Sequence, residues 1–138
     1  MKKNISYFLI LLSSFFLQIS SDPELVSGEE RHAIVLKVDG VINPVSAEYI
    51  ISGIKEASIS KAELLIIQLD TPGGLDSSMR MIIKEMMASS VPIVVYVSPS
   101  GSRAASAGAF ITIAAHIAAM APGTNIGAAH PVNMGGKM

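Results

Sequence analysis

Three short runs of aliphatic, largely β-branched residues recur along the chain: 33–38 (AIVLKV), 64–69 (LLIIQL) and 92–97 (PIVVYV). Runs of this length, bounded by turn residues, suit strands rather than helices. An amphipathic stretch separates each pair. Residues 46–60 (SAEYIISGIKEASIS) place Tyr49, Ile50, Ile54 and Ala57 at helical spacing, with Ser46 as a cap and Glu48 in the first turn. Residues 76–89 repeat the pattern, with Asp76 as cap and Met79, Ile82, Ile83, Met86 and Met87 as the buried stripe. Strand and helix in strict succession predict an α/β fold whose parallel strands are joined by right-handed crossovers. The run 64–69 is apolar almost throughout, as expected of a strand covered on both faces. A serine-rich loop, a helical stretch over 104–117 and a short strand near 125–129 complete the expected order.

The N-terminus reads differently. Two lysines precede an apolar run of 15 residues, 5–19 (ISYFLILLSSFFLQI). That is short for a membrane span and fits the hydrophobic region of an export signal. Residues 1–21 are therefore expected to be a signal peptide or an uncleaved anchor, 22–31 a polar linker, and 32–138 one domain. The body of the protein is expected to be exported, extracytoplasmic or anchored at the outer membrane face. Residues 104–121 also form an uncharged stretch of 18 residues. Its many alanines, Gly108 and the central His116 make it only weakly hydrophobic, and a helix packed closely in an α/β core accounts for it better.

Charge and cysteine usage remove several function classes. With 10 basic and 11 acidic residues the net charge is −1, which leaves no footprint for nucleic acid and no polybasic tail for anionic lipid. The absence of cysteine excludes a thiol nucleophile, a disulfide framework and cysteine-ligated metal. No group of His, Asp and Glu has metal-ligand spacing, so no metal or other cofactor is expected. Most of the eight methionines read as core filler.

Two segments carry residues that could do chemistry. The first, Asp70-Thr71-Pro72-Gly73-Gly74, leaves the C-terminal end of a buried strand, where ligand sites collect in parallel sheets. Paired glycines let backbone come close to a substrate and point N–H groups into a cleft, though the same residues also make an ordinary Pro-Gly turn. The second is Ser106 in SGSRAASAGAF, at the entry to the helical stretch, where free N–H groups favour developing negative charge. A nucleophilic serine needs those donors; a serine packed among alanines, or capping the helix, is the alternative. Ser102 is the better cap candidate, and Ser100 belongs to the loop.

Taken together, LDTPGGL (69–75), SRAASAGAFI (102–111) and AAMAPGTNIGAAHPV (118–132) resemble the Clp protease and signal-peptide-peptidase class of serine peptidases. More closely, they look like the N-terminal peptidase domain of NfeD-type membrane-bound serine proteases. The resemblance implies a Clp/crotonase-like spiral of stacked β-β-α units with mostly parallel strands. It implies Ser106 as nucleophile, with oxyanion donors from the Gly73–Gly74 pair and from the N–H of Ala107. It also implies a homo-oligomer at a membrane that hydrolyses peptide bonds in apolar segments of partner polypeptides, notably stomatin-like membrane proteins.

The general base is where this sequence departs from that pattern. NfeD-type enzymes use a Ser/Lys dyad whose lysine lies further along than the 32 residues that follow Ser106, so the expected lysine falls past Met138 and the peptidase domain reads as truncated. Lys137, after two glycines, reads as a tail residue. His130, in AAHPV, matches the place of the Clp catalytic histidine, and imidazole is the commonest base near neutral pH. No Asp or Glu follows Glu85 to orient it, and a neutral lining residue is the other reading. His116 reads as a core histidine and His32 as a solvated one. Two rival functions remain at this point: a catalytically inactive scaffold module with this fold, and a crotonase-like acyl-CoA enzyme, for which the cleft lacks the necessary carboxylate.

Overall fold

A computed structural model describes residues 31–129. The expected export segment 1–21, most of the linker, His130 and Lys137 lie outside the described residues. Strand β1 (Ala33–Asp39), helix α1 (Pro44–Ile59), β2 (Leu64–Asp70), α2 (Asp76–Ala88) and β3 (Ile93–Val97) follow each other as the apolar runs predicted. Beyond them come β4 (Arg103–Ala105), α3 (Ala107–Ile113), β5 (Ile117–Met120) and β6 (Asn125–Gly127). The order β1-β2-β3-β5 makes a four-stranded sheet in which every pairing is parallel. A second, two-stranded parallel sheet joins β4 to β6.

Strands β2 and β3 bury alternate residues along their whole length, and β1 does so over its second half. Leu65, Ile67 and Leu69 of β2 and Ile93, Val95 and Val97 of β3 are fully buried, against Ile50, Ile54, Ile82 and Met86 from the two long helices. Removing that apolar area from water is the main force holding the layers together. Gly53 of α1 is one place where the helix lies close on the sheet, because a Cβ there would overlap Leu36. The other face of the sheet is only half covered. There Lys37, Gln68 and Tyr96 stand in register across β1, β2 and β3, so β2 is not sealed on both sides as its composition suggested.

Several local expectations change. The α1 cap is Asn43, whose Oδ1 accepts the Ser46 N–H at 2.9 Å while Ser46 Oγ accepts the Asn43 N–H at 2.8 Å. Pro44 at the first helical position has no N–H to satisfy, which moves the start upstream of Ser46. Asp76 does not cap α2; Leu75 holds that position, and Asp76 pairs with Arg80 instead. Tyr49 and Met87 face solvent at 46% and 76% exposure, at the edge of their helices' apolar stripes.

The largest change is in 104–117, where strand, helix and strand replace one helix. Among the described residues, no helix is long and apolar enough to cross a membrane. His116 is exposed rather than in the core, and its Nδ1 accepts the Ile93 N–H at 3.1 Å, completing the first rung of β3.

Candidate active site

Strand β2 ends in the loop that carries the paired glycines, and the same strand end holds the serine segment. Thr71, fully buried, forms a bridge with Ala104: its N–H donates to Arg103 O at 2.7 Å and its O accepts the Ala105 N–H at 3.0 Å. One residue earlier, Asp70 Oδ1 accepts the Arg103 N–H at 3.0 Å. The two segments singled out in the sequence are thus stitched together by backbone.

Ser106 follows β4 directly and is the N-cap of α3, the position expected for Ser102. Ser102 instead lies buried before β4. The backbone of Ser106 has φ 51° and ψ −115°, a conformation that a residue with a Cβ seldom adopts. Tethers on both sides hold it there. Its N–H donates to Gly127 O of β6 at 2.8 Å, and its O accepts the Ala109 N–H at 2.9 Å. The hydroxyl is half-buried and has no hydrogen-bond partner among the described residues.

The glycine pair divides into two roles. Gly73, at φ 109°, lies against the serine: a Cβ on it would be 2.7 Å from Ser106 Cβ and 3.2 Å from Ser106 Oγ. Its N–H is taken by Thr71 Oγ1 at 3.0 Å. Gly74 bridges to Ile42, with the Ile42 N–H donating to Gly73 O and the Leu75 N–H donating to Ile42 O, both at 2.8 Å. Such a bridge turns the N–H of Gly74 itself away from Ile42. That N–H, like those of Ala107 and Gly108, has no acceptor among the described residues. A side chain at Gly74 would overlap the backbone of Ile42, so glycine is required there by space.

The structure therefore brings Ser106, Ala107, Gly73 and Gly74 into one neighbourhood: a hydroxyl held in a strained turn, with unpartnered N–H donors on the adjoining backbone. Such a set can attack a carbonyl and hold the negative charge that forms on its oxygen. Among the described residues no His, Cys, Asp or Glu cluster could hold a metal ion. Thr71 and Asp70, which align the two segments, were not singled out from the sequence. The signal was a threonine two residues before glycine, where a hydroxyl can bond its own backbone in a side-chain turn.

One further surface lies nearby. A groove of about 590 Å³ runs along α2, with Met79, Ile83, Met87 and Phe110 as its apolar lining and Arg80 and Lys84 among its polar ones. Phe110 stands one helical turn after Ser106 on α3.

Most of the chain is similar to known proteins. The family model for the NfeD1b N-terminal domain matches residues 32–138. The membrane-bound protease PH1510 of Pyrococcus horikoshii is 38% identical over 123 residues, 89% of this chain and 27% of that protein. Two solved structures of a 1510-N membrane-bound stomatin-specific protease align closely. A serine-to-alanine mutant gives a TM-score of 0.74 at 37% identity, covering 78% of this chain and 52% of that one. A lysine-to-alanine mutant in complex with a substrate peptide gives 0.72 at 39% identity, covering 74% and 47%. A ClpP1 mutant from Listeria monocytogenes, 22% identical over 67% of this chain and 54% of that one, shares the fold at a TM-score of 0.59. The fold is thus the Clp-like α/β type that the motifs implied. The chain spans about a quarter of the length of the curated relatives it matches.

Proposed function

The chain belongs to the NfeD1b N-terminal domain family, and from that premise we propose that it is the peptidase domain of an exported or membrane-associated serine endopeptidase. Ser106 is the nucleophile. The observation that carries this reading is the strained, tethered backbone of Ser106 beside Gly73, with the N–H groups of Gly74 and Ala107 left without acceptors. Strain of that kind persists only where surrounding structure imposes it, and it clusters at reactive centres.

In the proposed reaction Ser106 Oγ adds to a peptide carbonyl carbon as its proton passes to a general base. The carbonyl oxygen becomes an oxyanion, held by the Gly74 and Ala107 N–H groups. Collapse of this intermediate expels the amine, which takes the proton from the base. Water then hydrolyses the acyl-enzyme by the same steps in reverse roles. A lysine kept neutral by its surroundings serves as base, a reading supported by the 1510-N relative, studied as both a serine-to-alanine and a lysine-to-alanine mutant. His130 and Lys137 lie outside the described residues and take no part in this reading.

The substrate is proposed to be an apolar polypeptide segment, with a stomatin-like membrane protein as partner. The groove along α2 suits apolar side chains, and the 1510-N relative is described as stomatin-specific. The test is reaction of a form of the protein that includes the dyad lysine with a diphenyl phosphonate, followed by peptide mapping. Labelling at Ser106, absent in Ser106→Ala, is the expected result. A wild-type protein that folds and remains unlabelled would point to the scaffold reading instead.

A further inference from the structure

The side chain of Thr71 touches both halves of the site. Its Oγ1 accepts the Gly73 N–H at 3.0 Å and lies 3.3 Å from Gly73 O, closing a side-chain turn over the glycine pair. Its Cγ2 faces the first turn of α3, where a Cβ on Gly108 would overlap it. Its backbone meanwhile holds Arg103 and Ala105 on the way to Ser106. Thr71 is fully buried, so these contacts have no competition from solvent.

From this geometry, and resting on the peptidase reading above, we infer that Thr71 is a positioning residue for catalysis: its hydroxyl fixes the glycine loop so that Gly74, and not Gly73, presents its N–H to the oxyanion. With that hydroxyl absent, the Gly73 N–H is left unpaired in a buried place and the loop must turn to satisfy it. Turning the loop moves the Gly74 N–H relative to Ser106, and misplacement of about 1 Å costs roughly a hundredfold in rate. An oxyanion donor acts on the transition state more than on the bound substrate, so the effect should fall on turnover rather than on binding. The methyl group has a different task, which is to fill the space left by Gly108.

Thr71→Val keeps the shape and removes the hydroxyl; Thr71→Ser keeps the hydroxyl and removes the methyl. With an internally quenched apolar peptide, Thr71→Val is expected to lower kcat about 10- to 100-fold while KM changes less than about twofold. Thr71→Ser should stay near wild type, and the rate of phosphonate labelling at Ser106 should follow the same order. If Thr71→Val does not fold, Thr71→Ser and Thr71→Ala, which differ only by the hydroxyl, replace it, with serine the faster enzyme. Wild-type turnover in Thr71→Val, or an equal loss in the serine and valine variants, overturns the inference while leaving Ser106 as nucleophile. A folded wild type that neither cleaves nor labels removes both.

Discussion

The backbone conformation of Ser106 makes a stability prediction that is independent of activity. At φ 51° and ψ −115° a Cβ is held in a region favoured by glycine. Residues kept in such sparsely populated regions cost about 1–3 kcal/mol each. Ser106→Gly removes the Cβ and with it the strain, but the glycine also frees the unfolded chain, which costs about 0.4–1 kcal/mol. The balance is a gain of about 1 kcal/mol, or a rise in Tm of about 4–8 °C for a domain of this size. Ser106→Ala is the control. It keeps the Cβ and the strain, and the hydroxyl it removes has no partner among the described residues, so its stability should lie within about 0.5 kcal/mol of wild type. Both variants lack the nucleophile and should be equally inactive, so only thermal unfolding followed by circular dichroism separates them. A glycine variant that melts at or below the alanine variant would show that the turn is not strained, and the case for Ser106 would lose its main support.

Two further substitutions probe the frame around this turn. Gly74→Ala drives a Cβ into the Ile42 backbone and should break the bridge that closes the glycine loop, with a loss of about 1–3 kcal/mol; a urea midpoint equal to wild type would contradict the close approach. Asn43→Ala removes half of the capping box at α1 and should cost about 1 kcal/mol, with phosphonate labelling of Ser106 unchanged, because that helix end carries no part of the proposed chemistry.

The strands and long helices were readable from the chain because each is written locally. The runs ending at Asp39, Asp70 and Val97 are aliphatic and short, and the stripe at Met79, Ile82 and Met86 has helical period. Residues 103–105 gave no such signal. Arg103, Ala104 and Ala105 have helical propensity, yet they form a strand because Thr71 on one side and β6 on the other supply partners distant in the chain. The same non-local pairing makes Ser106, rather than Ser102, the residue at the head of α3. Ser106 and the glycine pair could be located by motif, whereas the task of Thr71 could not, since it depends on which N–H its hydroxyl meets after folding. The difference between Gly73 and Gly74 was hidden for the same reason: they are the same residue type, and what distinguishes them arises on folding, with Ile42 behind Gly74 and Ser106 in front of Gly73.

The tie between Ser106 and Gly127 also bears on when the site comes into being. A strained turn cannot hold itself, and one of its tethers is a strand that follows it in the chain. During synthesis Gly127 is made after Ser106, so this tether cannot form before β6 exists. The serine should therefore stay in a relaxed, unreactive conformation on the nascent chain and acquire its geometry only once β6 has docked, so that the order of folding itself delays the appearance of a nucleophile until the surrounding domain is built.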